Sequence, residues 1–273
     1  MKKVLVLAIA ALTASITAGA YAQKGGPATV TVLHGGQGVV SPDGKVRYVA
    51  LTTGRQTIVS FVRVAGGQVV RWRQLPGYFG VPVVGLDGTT DGISRDGRTL
   101  VLATSAGAAR SQFALIDTKT LRLRRVSLSG AWSYDAISPD GTYLYLIQYT
   151  GLGPNLAYRV RAYDLVQRRL FARPIVDAEI GDRLMRGWSV TRRTSSDGRW
   201  AYTLYARAQQ EPFVHALDTV RRQAYCIDLP LDLKRPDQMA LRLELRGDRM
   251  LDVRQGGDTV AIVDTRTFVV RKR

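Results

Sequence analysis

The groups in this sequence that could do chemistry are few and widely spaced. Of its 22 acidic residues, 19 are Asp and only Glu179, Glu211 and Glu244 are Glu. Its two histidines, His34 and His215, stand far from each other and from the single cysteine, Cys226. A zinc centre needs His, Cys or carboxylate ligands at short, characteristic spacing. A calcium loop needs acidic ligands at alternate positions. Neither pattern occurs, so no metal and no cofactor is expected. Cys226 sits in the strand-like stretch QAYCIDL, where a buried, inert thiol is the ordinary state. No histidine is placed by any motif to activate it. Two kinds of chemistry remain: a pair of facing carboxylates, as in glycoside hydrolysis, or mixed carboxylate and guanidinium groups around a ligand. Asp87, Asp91, Asp135, Asp177, Asp182 and Asp237 are the carboxylates available on long loops, and no local signature selects two of them.

Eight other aspartates are absorbed by turns. The stretch AISPDGTYLYLI, Ala136 to Ile147, has a serine and an acid that look like a small active-site loop. The same device returns as SPDG at Ser41, SRDG at Ser94, SPDG at Ser138 and SSDG at Ser195, with a degenerate LRGDRML from Leu245. Each copy is flanked by alternating apolar residues, and Asp-Gly between two such runs marks a tight hairpin that needs positive φ at glycine. Arg246-Gly247-Asp248 spells an adhesion tripeptide, but its place in the fifth turn accounts for it.

A second hairpin class is interleaved with the first. Its turns open at Asp117, Asp164, Asp218 and Asp264, and an earlier version has Arg63 at the Asp position and Gly66-Gly67 behind it. Successive spacings from Arg63 are 54, 47, 54 and 46 residues. Two alternating hairpin families at one period describe a repeated four-stranded unit, the signature of a β-propeller. The fold expected is all-β, a five-bladed β-propeller of four-stranded blades, with six or seven blades as the alternative count. The chain opens on a Ser-type hairpin and closes on an Asp-type hairpin. The terminal strands are therefore expected to pair and close the ring, removing exposed edges.

Together these hairpins resemble the YVTN/SPDG class of β-propeller repeats, found in exported bacterial proteins and lactonase-like or WD-repeat-like propellers. Phe113 to Tyr149 looks like one complete repeat of that class, and the resemblance runs loosely from about Val39 onward. It departs at the insertion QLPGYFGVPVVGLDGTTD and at the last turn, which has Gly-Asp for Asp-Gly. The resemblance implies a fold and transfers no catalytic residue.

The long connections gather on the face opposite the turns, where repeat proteins usually bind. Three residues before each turn serine, and before Leu245, the chain enters an innermost strand at Gly38, Asp91, Asp135, Arg192 and Arg242. The candidate ligand site is therefore a mixed-charge channel mouth of Asp91, Asp135, Arg192 and Arg242, flanked by Trp132, Tyr134 and Trp188. An ion-pair network tying the blades together is the structural alternative. Trp200 reads as a core residue.

The N-terminus has Lys2 and Lys3 before a short apolar run that ends in Ala20-Tyr21-Ala22. That is the form of a secretory signal peptide. The expected division is a signal at 1–22, a lead-in at 23–38 and one propeller at 39–273. The formal charge of +17 falls to +15 without Lys2 and Lys3, and 32 of the 39 basic residues are arginine. Such a field favours anionic partners, here an envelope polymer, a glycan or a protein. Nucleic acid does not suit an exported chain. Two functions follow: a monomeric, secreted or cell-envelope binding or scaffold propeller without enzymatic activity, or a lactonase-like hydrolase using loop carboxylates at the channel mouth.

Overall fold

The computed structural model describes residues 31–106, 109–151, 156–177 and 184–273. The expected signal at 1–22, the lead-in up to residue 30 and the candidate Asp182 lie outside the described residues. Strand β1 (Val32–Leu33) precedes a first antiparallel sheet of β2 (Val39–Val40), β3 (Val46–Thr53), β4 (Gln56–Arg63) and β5 (Val69–Pro76). After β6 (Val81–Pro82), which pairs with β1, comes a second sheet of β7 (Thr99–Ala103), β8 (Arg110–Asp117) and β9 (Leu123–Ser129). The third sheet is β10 (Trp132–Ile137), β11 (Tyr143–Gly151), β12 (Ala157–Asp164) and β13 (Arg169–Leu170). The fourth is β14 (Trp188–Thr194), β15 (Trp200–Ala206), β16 (Phe213–Asp218) and β17 (Gln223–Asp228). A short helix, α1 (Arg235–Ala240), leads into the fifth sheet of β18 (Leu241–Arg246), β19 (Met250–Gln255), β20 (Asp258–Asp264) and β21 (Val270–Lys272).

The turn chemistry explains the repeat. In each complete Ser-x-Asp-Gly copy the serine Oγ donates to the aspartate Oδ1, as at Ser138–Asp140 (2.7 Å), and accepts the N–H five residues on, as from Tyr143 (2.9 Å). The glycine N–H closes the turn on the serine carbonyl, Gly141 to Ser138 at 2.9 Å, with φ of 69° at Gly141. That positive φ is open to glycine without a Cβ penalty. In the Asp-opened turns the carboxylate accepts two backbone N–H groups, as Asp117 does from Lys119 (3.0 Å) and Thr120 (2.7 Å). It pins a loop whose fifth residue is left-handed without being glycine: Leu121, Arg168, Arg222 and Phe268 all have positive φ. Where Arg63 replaces the aspartate, that place is taken by Gly67, φ 65°. The two turns of each unit are tied by one backbone bond, for example Thr118 N–H to the Arg98 carbonyl (2.9 Å) and Thr219 N–H to the Arg199 carbonyl (2.8 Å).

Alternation along the strands then packs sheet on sheet. Tyr48, Val59 and Phe61 meet Leu100, Leu102 and Ile116; Val101, Phe113 and Leu115 meet Trp132, Leu144 and Leu146. Tyr145 and Ala162 meet Leu217, and Leu204 and Val214 meet Leu243, Val253 and Val263. These apolar layers join the first sheet to the second and so on to the fifth. Among the described residues no such layer joins the fifth to the first.

Two expectations are corrected. The terminal strands do not pair with each other among the described residues: β2 belongs to the sheet of β3–β5, and β21 to the sheet of β18–β20. Both hairpin classes of a unit fall in one sheet, Ser-type first, so each of these five sheets is contiguous in sequence, while the β1–β6 pair spans the first of them. The second unit also lacks a regular fourth strand. Its inner position is held by the segment around Asp91–Ser94 through the Ile93–Leu100 bridge and the Val101 N–H to Gly92 carbonyl bond (2.6 Å), because the insertion before it is drawn elsewhere.

Candidate functional site

The inner segment of the second unit and the inner strands of the third and fourth sheets bring charged residues to one point. On β10 the register with β11 shifts between Tyr134 and Ala136, leaving Asp135 as the extra residue of a bulge. Bulges re-aim side chains, and here the carboxylate turns inward from a strand whose six residues are all buried. Arg192 comes from β14, itself bulged between Ser189 and Thr191. Its guanidinium donates to the backbone carbonyl and to Oδ1 of Asp135, and its Nε donates to Thr203 Oγ1 at 2.8 Å. Asp91 stands 3.8 Å from Arg192 Nη1 and takes the N–H of Gly92 at 2.7 Å. Asp135 and Arg192 are 1% and 3% exposed, Asp91 21%.

The electrostatics follow from burial. Loss of solvent raises the Asp91 carboxyl above its ordinary range, and Arg192 only partly offsets this. Burial also pushes the Tyr134 phenol far up, reinforced by Asp91. For Arg192 burial opposes the charge, yet Asp135 and Asp91 together hold the guanidinium more firmly protonated than usual. Nearby, His215 is 2% exposed and packs edge-on against Tyr205; burial lowers its pKa to about 4. This is a cation held between two acids inside the molecule.

The cluster divides the centre of the molecule. Toward the long connections, the insertion folds over it: Leu86 N–H donates to the Ser189 carbonyl (3.0 Å) and Asp87 N–H to the Val190 carbonyl (3.1 Å). Gly85 permits that approach, since a Cβ there would lie 3.0 Å from Thr191 Cα. The cavity left on this side, between Val83–Leu86, Tyr134, Asp135, Tyr149 and Tyr205, is about 30 Å³. That admits nothing larger than water. Toward the turns, a pocket of about 550 Å³ opens, with Asp91 and Arg192 in its wall and Arg47, Arg95 and Arg193 around it.

Asp91, Tyr134, Asp135 and Arg192 thus come together, but inside the molecule and not at an open mouth on the long-loop face. Trp132 does not flank them: it is 4% exposed, in the layer between the second and third sheets, with Nε1 donating to the Ser129 carbonyl (2.8 Å). Trp188 lies under the Arg235 guanidinium (4.9 Å) and lines a separate pocket with Arg186 and Arg207. Arg242 is exposed and donates to the carbonyls of Met239 and Leu241, 3.1 and 2.8 Å away. Of the loop aromatics, Tyr78 is exposed and Phe79 is fully buried. Of the other loop carboxylates, Asp87 accepts from Thr89 within its own turn, and Asp177 accepts from the Cys226 N–H, tying its segment to β17. Trp200 is half-buried and stacks on Tyr202 at 6.0 Å, as a core residue. Arg47, Arg95 and Arg193 carried no motif. Their only sequence signal is position, on or beside the Ser-type hairpins.

No protein-family model and no curated protein matches the chain. Among solved structures it is similar to the β-propeller domain of Myceliophteria thermophila Cps50 (Swd1), with 13% identity and a TM-score of 0.50 over 86% of this chain and 67% of that one. The fold is a β-propeller. A chain of the mitotic checkpoint complex is similar in the same degree, with 14% identity and a TM-score of 0.50 over 88% of this propeller and 67% of that chain. The match to TolB from Acinetobacter baumannii has 13% identity and a TM-score of 0.46; it covers 85% of this propeller and spans about half, 52%, of the TolB chain. At these identities the likeness concerns the fold alone.

Proposed function

We propose that this chain is an exported, non-enzymatic binding or scaffold propeller of five blades, of the Ser-Pro-Asp-Gly repeat class, acting as a monomer in the cell envelope or outside the cell. The observation that carries the reading is the state of the converging carboxylates. A retaining or inverting glycosidase needs two carboxyl groups roughly 5–9 Å apart, facing a cleft that admits substrate. Here Asp135 is 1% exposed and bonded to Arg192, and the space beyond it on the long-loop side is about 30 Å³. A buried, charge-paired acid holds sheets together and cannot exchange protons with a substrate it never meets.

The remaining features support the same reading. The five Ser-type and five Asp-type hairpins support a count of five blades, with the bridged segment at Asp91–Ser94 in the inner place of the second. The N-terminal Lys2-Lys3 and apolar run support export. Among the described residues no helix is long and apolar enough to cross a membrane. The excess of arginine favours an anionic partner, an envelope polymer or glycan. The test is an unbiased binding screen of the protein against wall polymers and glycans, at low and at near-physiological ionic strength. Binding of at least one anionic polymer is expected; release of a cleaved product from a glycoside or lactone substrate would overturn the reading.

A further inference from the structure

The pocket of about 550 Å³ at the turn end of the channel has a marked charge imbalance. Its wall carries Arg47, Arg95, Arg192 and Arg193 against one carboxylate, Asp91. Arg192 is already engaged by Asp135. The other three form no ion pair among the described residues. Arg47, on β3, is half-buried, and its Nε is shut off from solvent without any hydrogen-bond partner. Arg193 donates from Nη1 to the Arg192 carbonyl at 2.6 Å, and Arg95 reaches the Pro42 carbonyl only at 3.5 Å. The turn acids closest in sequence do not neutralise them. Asp43, Asp96 and Asp197 each accept a serine hydroxyl and a backbone N–H, and none lines the pocket.

Unpaired guanidinium groups around a concavity concentrate positive field there, and their planar forks match the paired oxygens of carboxylate and phosphate. The volume is that of an ordinary small-ligand site.

We propose that this pocket binds an oxyanion-bearing ligand, a carboxylate or phosphate on a small unit such as an acidic sugar, held by Arg47, Arg95 and Arg193. The proposal rests on the binding-propeller reading and names its ligand class. Neutral ligands are discriminated against because they leave the three guanidinium charges of the wall without a counter-charge.

The experiment is calorimetric titration of the protein with inorganic phosphate, glucuronate and glucose, at low salt and at about 0.15 M, where screening extends over roughly 8 Å. Phosphate, glucuronate or both should bind and glucose should not; which of the two anions binds identifies the oxyanion. Arg47→Gln and Arg193→Gln should each weaken binding about tenfold, the loss of one charge-assisted hydrogen bond. Arg193→Lys should keep part of it, having the charge without the fork. Arg55→Gln, in the exposed β3–β4 turn, should change nothing, and unfolding midpoints check that every variant is folded. Anions bound no tighter than glucose, or Arg47→Gln losing no more than Arg55→Gln, would overturn the site. A polymer that binds the Arg47→Gln, Arg193→Gln double variant as tightly as the native protein would overturn the pocket and leave the binding reading standing. A cleaved product would overturn the reading itself.

Discussion

Replacing Arg192 with methionine removes the cation that three blades share. The side chain keeps its approximate volume, but Asp135, 1% exposed, loses the group that satisfies Oδ1 and its own carbonyl. Its Oδ2 already has no partner. Breaking a buried pair in this way costs about 3–5 kcal/mol. With a urea m-value of about 3 kcal/mol/M for a chain of this size, the midpoint of unfolding should fall by roughly 1–2 M. The Arg254–Glu244 pair of the fifth blade is the internal control: at 34% and 52% exposure it is a surface pair, and Glu244→Gln should cost about 0–1 kcal/mol. Adding Asp135→Asn to Arg192→Met should cost much less than the sum of the single changes, since neighbours in one network are coupled. The assay is equilibrium urea unfolding followed by tryptophan fluorescence and circular dichroism. If Arg192→Met unfolds within about 1 kcal/mol of the native protein, the cluster does not tie the blades and the argument from buried charge fails.

Four further outcomes follow from the same structure. His215 titrates near 4 when folded against 6.5 in the free side chain, so between these values the unfolded chain binds more protons. Its contribution is intact above about pH 6.5 and is lost as pH falls toward 4, by up to about 3 kcal/mol. His215→Asn should remove that slope from a pH series of unfolding curves. Asp91, raised by burial, gives the opposite slope: it favours the folded state at low pH and loses that contribution as pH rises through its folded pKa. Gly141→Ala should destabilise the protein more than Gly66→Ala in thermal unfolding. Both glycines have positive φ, but a Cβ at Gly141 would lie 2.6 Å from Thr99 Oγ1 and one at Gly66 meets nothing within 4 Å. The Cys226 thiol, pushed up to about 12 by burial and then by Asp177 and Asp228, should resist a thiol reagent at neutral pH until the protein is unfolded.

The repeat was legible because turn chemistry is local. Ser138, Asp140 and Gly141 bond within six residues of each other, so their types alone predict the hairpin and its period. The phase of the repeat was not legible. A cycle of four strands can be cut at any hairpin, and the sequence does not say whether the first Ser-type hairpin joins the Asp-type hairpin after it or the last one in the chain. The pairing of β2 with β3–β5 settles it. Of the candidate site, the convergence of Asp91, Asp135 and Arg192 could be read from their common position before the turns, since equivalent places on inner strands face one axis. Arg242 shares that position but remains exposed on its own strand. Trp132 was misplaced because nearness to Asp135 in sequence does not decide which face of the strand a side chain takes; it packs between the second and third sheets. The seal over the cluster was also hidden, because the insertion pairs with β14 about a hundred residues later in the chain and no local rule predicts so long-range a bond.

The most direct test of the central claim is recovery of the ligand. The protein is incubated with the anionic polymer it binds best in the screen, and the polymer is analysed by size and end-group content after release. The account predicts bound polymer returned at its original length; shortened chains, generated by the native protein and not by Asp135→Asn, would contradict it.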